Sequence, residues 1–385
     1  MSPSLIALCF GNFVIGTGTL IVPGMLPKLA EGLGVTLPVA GQLITAFAFT
    51  VCVGAPLLAA ATSRYDRRAL LFWMQILFFA GHAAAAQTSE FAPMVLVRVL
   101  TSIGAAVFTA QAGATAALLV APEKRGAAVA FVFLGWAIAS VVGLPLGAYV
   151  GATLGWRAGF WMVAAGSLAG AAAVRSFVPA SLAVKRVDAS MWRGIFSSAV
   201  LMAVVGVTAL QAAAQFSIYS YFVPAARDFL AASPALVSTV LLVFGVMGVT
   251  GNALSSRFVD RIGAANVALA SMVAMLAAHL IWPFAVGSLA LFVALVVAWG
   301  LGCFAANSSQ QARLVALSPQ YAPVSLALNT SAIYLGQALG TAAGGVLLTQ
   351  RPGLPGYVAL AWISVPMFVA AIALSLAAQR ATAVT

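Results

Sequence analysis

Long apolar segments, separated by short polar breaks, run along the whole chain. Each has ~20 residues or more, the length that an α-helix needs to cross the hydrocarbon core of a bilayer. The pattern therefore predicts twelve membrane-spanning helices. The segments lie at residues 4–27, 37–60, 69–88, 93–119, 127–150, 157–178, 194–222, 235–254, 265–285, 289–312, 324–349 and 357–378.

The amino-acid composition excludes a soluble protein. Of the 385 residues, 63% are hydrophobic and 6% are charged, and the mean hydropathy is +1.09. A soluble domain has about 25% charged residues, because its surface must be solvated. A span with a short loop takes about 30 residues, so twelve spans leave no room for a sizeable soluble domain. We therefore expect a multi-pass membrane protein.

The net charge of +11 indicates orientation in the membrane rather than nucleic-acid binding. If the amino terminus is cytoplasmic, most basic loop residues fall on the cytoplasmic side, as the positive-inside rule requires. We therefore predict that both termini are cytoplasmic. The basic residues on that side are Arg64, Arg67, Arg68, Lys124, Arg125, Arg175, Lys185, Arg186, Arg193, Arg257, Arg261, Arg313 and Arg380.

The two halves of the chain echo each other. The longest cytoplasmic connection, 179–193, predicts a linker between an amino-terminal six-helix bundle at 1–178 and a carboxyl-terminal bundle at 194–385. Glycines at four-residue spacing occur in the fifth span of each half and share one helix face. They are Gly143, Gly147, Gly151 and Gly155 in the first half, and Gly336, Gly340 and Gly344 in the second. His82 and His279 are also equivalent, at an offset of 197 residues.

Each half carries a similar loop after its second span. The loop reads Ser63-Arg64-Tyr65-Asp66-Arg67-Arg68 in the first half and Val259-Asp260-Arg261-Ile262-Gly263 in the second. Two six-helix halves with a basic, turn-forming loop at this place resemble the major facilitator superfamily. The resemblance covers essentially the whole chain. It implies an all-α fold of twelve transmembrane helices in two pseudo-symmetric halves.

Three further motifs resemble the twelve-span drug:proton antiporters of that superfamily, in their arabinose- and purine-efflux-like branch. They are Arg98 followed by Gly104, the stretch Gly143-Leu144-Pro145-Leu146-Gly147, and the stretch from Asn329 to Gly340. The resemblance implies a secondary transporter of the cell inner membrane that exports a small molecule by alternating access with proton antiport. The alternatives are an uncoupled facilitative transporter and an importer of a small metabolite.

The resemblance also implies gating residues. At helix ends, a cation can meet carbonyl groups or an acidic partner and latch the halves in one state; the alternative is a simple topological anchor. In the fifth span, glycine and proline would bend and thin the helix; the alternative is ordinary small-residue packing. The residues concerned are Arg64, Arg67, Asp260 and Arg261 at helix ends, and Gly143, Pro145 and Gly147 in the fifth span.

Arg98 lies inside an apolar segment, where a cation is costly and should face a cavity or a polar partner. The resemblance implies that it handles protons or substrate, and the alternative is an arginine that snorkels to the outer interface. Asn12 and Thr19, on the first span, are the other candidate coupling residues.

Several further polar residues within the spans are candidates for the substrate cavity, because intramembrane amides and hydroxyls seek partners. The alternative is interhelical hydrogen bonding without a substrate. The candidates are Gln42, Thr45, Gln211, Gln215, Tyr219, Asn307, Gln310, Gln311, Asn329, Tyr334 and Gln337. Neutral amides with one arginine suit a neutral or anionic compound, such as a drug, sugar, nucleobase or nucleoside, better than a cation.

No carboxylate is expected inside a span. A proton antiport mechanism that uses an intramembrane carboxylate as the proton carrier is therefore in doubt. Three explanations stay open: a carboxylate at a loop edge, Glu31 or Asp66, couples transport; one of the two histidines titrates; or transport is uncoupled. The seven acidic residues, all predicted in loops, are Glu31, Asp66, Glu90, Glu123, Asp188, Asp228 and Asp260.

Other classes of function find no support in the sequence. It contains no Gly-x-Ser-x-Gly elbow, no His-Glu-x-x-His and no phosphate-binding P-loop, which argues against a membrane enzyme or a nucleotide-driven pump. Cys9, Cys52 and Cys303 lie in apolar segments without a CxxC pair. We therefore expect no catalytic residue, no cofactor and no metal, and a monomer that meets a small substrate, protons and lipid.

Overall fold

The computed structural model describes residues 2–62, 65–121, 124–180, 182 and 189–384. These residues form helices and their connections, and no strand occurs among them. The α-helices are α1 (Pro3–Gly32), α2 (Leu37–Ala61), α3 (Arg67–Gln87), α4 (Phe91–Leu118), α5 (Arg125–Ile138), α6 (Leu144–Thr153), α7 (Trp156–Phe177), α8 (Ala189–Phe196), α9 (Ala199–Tyr219), α10 (Phe222–Leu230), α11 (Pro234–Ile262), α12 (Ala264–Ile281), α13 (Leu289–Leu317), α14 (Ala322–Gln350), α15 (Leu354–Ala359) and α16 (Ala361–Val384).

The prediction of twelve spans is confirmed. Twelve segments of the described chain are helical, long and apolar enough to cross a membrane. The fifth span consists of α5, a π-helical turn at Ala139–Gly143 and α6, and the twelfth consists of α15 and α16. The protein is therefore an all-α, multi-pass membrane protein.

Four predicted spans end at least five residues too early. The helices α1, α11, α13 and α16 continue past residues 27, 254, 312 and 378 to Gly32, Ile262, Leu317 and Val384. A 29-residue helix is ~43 Å long, whereas the hydrocarbon core is ~30 Å thick, so hydropathy marks the apolar part of the helix and not its end. Of the acidic residues predicted in loops, Glu31, Asp228 and Asp260 lie in helices. The same holds for the basic residues that follow the predicted ends of these four spans, namely Lys28, Arg257, Arg261, Arg313 and Arg380.

The predicted span at 194–222 is also corrected. Its helix α9 covers only Ala199–Tyr219, between the short helices α8 and α10. Ser198 separates α8 from α9, because its side chain accepts a hydrogen bond from the backbone N–H of Leu201 and caps α9.

The chain forms two compact units, Met1–Arg186 and Val187–Thr385, here called the amino-terminal and carboxyl-terminal units. The helix bounds repeat at an offset of 197 residues: α2 and α11 begin at Leu37 and Pro234, and α3 and α12 begin at Arg67 and Ala264. The neighbours repeat as well. The fifth span packs on α1 in one unit, and α14 packs on α9 in the other.

The two glycine faces lie in these packed helix pairs. A Cβ atom added to Gly147 would come within 2.7 Å of the Ile21 side chain on α1, and one added to Gly344 within 2.6 Å of the Ser217 carbonyl oxygen on α9. Small residues at these positions let the helix backbones approach closely. Gly155 is the exception to the predicted face, because it begins the turn into α7 with a φ of 91°.

Proline shapes two helices of the amino-terminal unit. In α1, Met25 has non-helical φ and ψ angles of −119° and 16°, between Pro23 and Pro27. In the fifth span, the π-helical turn ends at Gly143, just before Pro145. Proline lacks an N–H group and clashes with the preceding turn, which widens or kinks a helix. The predicted irregularity of the fifth span is therefore present.

Candidate functional site

In the amino-terminal unit, α4 carries a deeply buried arginine. Arg98 is 1% exposed, so it does not snorkel to an interface. Its guanidinium carbon lies 4.4 Å from the centroid of the Phe47 ring on α2, and its Nη1 donates a long hydrogen bond, 3.5 Å, to the carbonyl oxygen of Gly18 on α1. We call Arg98, Phe47 and Gly18 the arginine cluster.

Among the described residues of its unit, no carboxylate meets the charge of Arg98. No Asp or Glu of the described chain is buried. The one ion pair found among the described residues joins Lys28 and Glu31, whose side chains are exposed, at 2.8 Å. An aromatic face attracts a desolvated cation by about 2 kcal/mol, which offsets only part of the cost of burying an arginine in a membrane. The arginine cluster is thus suited to receive an anionic or strongly polar group.

His82, on α3, is held in a fixed orientation. Its Nδ1 lies 2.8 Å from the Phe78 carbonyl oxygen one turn earlier, and because a carbonyl only accepts, this nitrogen carries the proton. His279 makes the same contact with the Met275 carbonyl oxygen at 2.7 Å. Both rings are buried. The equivalence of the histidines therefore extends from the sequence to their hydrogen bonds.

The two candidate coupling residues on α1 have different surroundings. Asn12 Nδ2 donates to the Val132 carbonyl oxygen of α5 at 3.2 Å, while its buried Oδ1 has no described partner. Thr19 Oγ1 donates to the Ile15 carbonyl oxygen of its own helix at 2.8 Å. Asn12 therefore has a free acceptor inside the unit, whereas the Thr19 hydroxyl is satisfied locally.

The carboxyl-terminal unit holds a chain of neutral polar groups instead. Thr208 Oγ1, on α9, donates to Asn329 Oδ1, on α14, at 2.8 Å. Asn329 Nδ2 donates in turn to Asn307 Oδ1, on α13, at 3.2 Å. The structure thus brings the predicted Asn307 and Asn329 together. Thr208 was not predicted, although it lies three residues before Gln211 and hence on the same face of α9.

The three predicted residues on that face of α9 are all buried. The side-chain oxygens of Gln211 and Gln215 have no described hydrogen-bond partner. The Tyr219 ring lies 5.4 Å from that of Phe244 and 5.9 Å from that of Trp299. Unpaired amide oxygens beside aromatic rings offer acceptors and a flat apolar wall to a ligand. We call Thr208, Asn307, Asn329 and these three residues the amide cluster.

The remaining candidates for the substrate cavity differ in their burial and in their hydrogen bonds. Gln310 is fully buried and both of its amide atoms lack a described partner, whereas Gln311 is half-buried. Gln337 is buried and Tyr334 half-buried. On α2, Thr45 Oγ1 is buried without a described partner, but Gln42 Nε2 donates to the Pro38 carbonyl oxygen of its own helix at 3.4 Å.

The motif after the second span differs between the units. In the first, Arg67 is fully buried at the start of α3, and its Nη1 donates to Gln111 Oε1 on α4 at 2.7 Å. In the second, Asp260 and Arg261 are exposed in the last turn of α11, and neither belongs to an ion pair of the described residues. Arg67 is therefore part of a packed polar contact rather than a surface charge. Arg64 lies outside the described residues.

Arg313 is a buried cation that the sequence placed in a loop. It is 4% exposed within α13. Its Nη1 donates to Ser375 Oγ at 3.0 Å, and its Nη2 to the Ser375 carbonyl oxygen at 3.3 Å. Hydropathy could not reveal this contact, because the apolar segment of α13 ends before residue 313.

The chain matches a known protein family over more than half of its length. The family described as Major Facilitator Superfamily matches residues 8–230. The inner membrane transport protein YdhP of Escherichia coli (strain K12) is 31% identical over 353 residues, which cover 91% of this chain and 90% of that protein. A chloramphenicol resistance protein of Streptomyces lividans is 31% identical over 356 residues, with coverage of 90% and 88%.

Solved structures share the fold at low sequence identity. A bacterial homolog of the human lysosomal transporter Spinster superposes with a TM-score of 0.79 at 17% identity, over 98% of this chain and 96% of that chain. A D-xylose-proton symporter superposes with a TM-score of 0.76 at 17% identity, over 97% and 96% of the two chains. At this identity, the likeness concerns the fold alone.

Proposed function

The chain belongs to the Major Facilitator Superfamily, whose members are membrane transporters and not enzymes, and on that premise we propose that it exports a small neutral or anionic organic compound. The proposed location is the cell inner membrane, with both termini cytoplasmic, and the proposed active form is a monomer that works by alternating access. Small-molecule transport follows from the family; the substrate class, the direction and the orientation are the proposal.

The observation that carries the substrate class is the buried charge of Arg98 in a unit without a buried carboxylate among its described residues. A lipophilic cation would meet repulsion there and find no acidic partner. A carboxylate, a phosphate or an electron-rich carbonyl group would gain a charge-assisted hydrogen bond. Arg98 is thus the residue to which we assign recognition of the most polar group of the substrate.

The amide cluster supports a substrate that also has hydrogen-bonding and aromatic groups. Gln211 and Gln215 have acceptors to spare, which suits hydroxyl or amide donors of a substrate, and Tyr219 with Trp299 suits a flat ring. We propose that these residues, with Asn307, contact the substrate. Gln42 and Thr19 are weaker candidates, because their side chains bond to their own helices.

Export is the proposed direction. The Gly143-Leu144-Pro145 stretch resembles the motif of exporters, and its π-helical turn supports a helix that is specialised at this point. The similarity to a chloramphenicol resistance protein supports a drug-like, uncharged substrate. We assign gating to Gly143, Pro145 and Gly147 and to the residues of the motif after the second span, Arg64, Arg67, Asp260 and Arg261.

Proton antiport is the proposed coupling, and uncoupled transport is the second candidate, favoured by the absence of a buried carboxylate in the described chain. Among carboxylates outside the spans, Asp228 on α10 has a pKa raised above its ordinary value by partial desolvation. A raised pKa moves proton release of a carboxyl group toward neutral pH. Asp228 therefore joins Glu31 and Asp66 as a candidate for the coupling group.

A susceptibility and export panel tests the proposed substrate. Cells that overproduce the protein and cells that lack it are compared for growth with phenicols, nucleosides, sugars and lipophilic cations, and for export of metabolites. We expect overproduction to protect against, or to export, a neutral or anionic compound, and Arg98→Ala to abolish the effect at an equal amount of membrane protein. Protection only against lipophilic cations would contradict the proposal.

Everted membrane vesicles test the coupling separately. Addition of the confirmed substrate should change the luminal pH, and an uncoupler should stop its accumulation. Asp228→Asn should remove the pH change, while Glu90→Gln, at an exposed acid assigned neither to gating nor to coupling, serves as the control. If substrate moves without any pH change and without response to the uncoupler, transport is uncoupled.

A further inference from the structure

A small, open cavity lies at the end of the carboxyl-terminal unit where α11 turns into α12. Its volume is about 210 Å³, and its lining is mostly apolar, with three polar side chains: Asn266, Arg313 and Gln379. None of its lining residues is acidic. It contains none of the residues assigned above to the substrate.

Arg313 gives this cavity a buried positive charge. The arginine is 4% exposed, and its two described hydrogen bonds both go to neutral oxygen atoms of Ser375. It belongs to no ion pair of the described chain. A guanidinium carries five N–H donors, so donors remain after Ser375 is satisfied. A buried cation without a carboxylate is stabilised by an anion.

The amino terminus of α12 adds to this charge. Gly263 occupies the cap position and supplies no side-chain hydrogen bond. The first intrahelical bond formed at this end is from the Val267 N–H to the Gly263 carbonyl oxygen, 3.2 Å. The N–H groups of the preceding helical residues therefore lie free at the positive end of an 18-residue helix. Together with Arg313, they favour a phosphate group.

An apolar groove adjoins this cavity. It has a volume of about 230 Å³, lies between α11, α12 and α13, and shares Ile262 with the cavity. Phe258, Ala270 and Leu301 are among the side chains that line it. A buried cation next to an apolar groove in a membrane-spanning unit has the two chemistries of an anionic phospholipid.

The exposed charges at this end favour an anionic ligand. Arg257, Arg261 and Arg380 are exposed at the ends of α11 and α16, and Asp260 is the exposed acid between the first two. The net charge of these four residues is therefore positive. Basic side chains at a membrane surface attract anionic lipids by about 1 kcal/mol each.

We propose that the cavity and the groove form a binding site for one anionic phospholipid. Its phosphate contacts Arg313 and the amino terminus of α12, and one acyl chain lies in the groove. The proposal depends on the membrane location of the protein and not on its substrate or direction of transport.

Native mass spectrometry of the intact, detergent-purified protein tests the head-group site. We expect dioleoyl phosphatidylglycerol to bind more tightly than dioleoyl phosphatidylcholine. Arg313→Gln should lower phosphatidylglycerol affinity about tenfold, Arg313→Lys should retain most of it, and Arg351→Gln, an exposed arginine remote from the cavity, should leave it unchanged. Equal binding of the two lipids, or unaltered binding by Arg313→Gln, would overturn the proposal.

Two further arms test the groove and the source of the phosphate. Ala270→Trp fills the groove and should reduce phosphatidylglycerol binding, whereas Ala277→Trp, exposed on the same helix outside the groove, should not. This pair stays informative if Arg313→Gln fails to fold. Inorganic phosphate should not displace the lipid. Displacement by inorganic phosphate, or equal effects of the two tryptophans, would reject a lipid as the occupant.

Discussion

The two units share their helix packing but not their buried chemistry. The offset of 197 residues that relates His82 to His279 takes Arg98 to Leu295, and both of these residues are 1% exposed. The amino-terminal unit thus holds a cation at a place where the carboxyl-terminal unit holds a leucine. The carboxyl-terminal unit holds a group of neutral amides on α9, α13 and α14 instead, and its own buried cation, Arg313, lies near the end of α13.

This comparison distinguishes the packing contacts that recur in both units from the polar residues that we assign to substrate binding. Contacts that set the distance between helices recur, such as the glycine faces against α1 and α9. The buried polar residues that could contact a ligand do not recur, as Arg98 and Leu295 show. We infer that the two units offer different chemistry to a ligand: a buried cation in the amino-terminal unit, and hydrogen-bonding and aromatic groups in the carboxyl-terminal unit.

The largest expected effect comes from giving the second unit the cation of the first. Leu295→Arg places a charge in an apolar setting without the Phe47 ring and the Gly18 carbonyl group that Arg98 has. We expect a loss of about 3 kcal/mol or more in the free energy of unfolding, measured as loss of monodisperse protein after heating. Leu291→Arg, at an exposed position of the same helix, should be tolerated, and a Leu295→Arg protein as stable as wild type would remove the distinction.

The next largest effect is expected for alanine substitutions of two equivalent glycines, Gly147 and Gly344. A Cβ on Gly344 meets a backbone oxygen of α9, which cannot move alone, whereas a Cβ on Gly147 meets only side-chain atoms of Ile21, which shift more easily than the backbone. Gly344→Ala should therefore cost about 2 kcal/mol and Gly147→Ala less. Thermal unfolding in detergent measures both. A larger loss for Gly147→Ala would show that the two helix pairs are not packed alike.

A smaller effect concerns the asparagines that tie the fifth span of each unit to its neighbour. Asn329→Ala breaks two side-chain bonds: it leaves Asn307 without its described partner and Thr208 with only a long bond to the Val204 carbonyl oxygen, whereas Asn12→Ala breaks one bond to a backbone oxygen. We expect losses of about 1–2 and about 1 kcal/mol respectively, again from thermal unfolding. Equal losses would indicate that the amide cluster is satisfied in another way.

The smallest effect is expected for Gln42. Its amide bonds back to its own helix, so Gln42→Ala should change stability by less than about 0.5 kcal/mol and leave export unchanged. Gln215→Ala is the matched glutamine in the amide cluster and should weaken the apparent affinity for substrate. A transport defect for Gln42→Ala equal to that for Gln215→Ala would indicate that Gln42 on α2 also contacts the substrate.

The spans could be predicted from hydropathy because the bilayer demands long apolar helices regardless of packing. Their ends could not, since α11 and α13 leave the apolar region before they end, and this hid the burial of Arg313. The irregular fifth span followed from Gly143 and Pro145, but the π-helical turn itself depends on local backbone register. The cost of a buried cation made Arg98 recognisable, whereas a single threonine such as Thr208 carries no comparable signal.

The central claim, that Arg98 recognises the substrate, is tested most directly by transport in proteoliposomes. The compound identified in the export panel is measured with wild-type protein, Arg98→Leu and Arg98→Lys, each shown to be folded by gel filtration. We predict that Arg98→Leu, which copies Leu295 of the other unit, lowers transport about tenfold or more and that Arg98→Lys retains part of it. Transport by folded Arg98→Leu at the wild-type rate and affinity would contradict the claim.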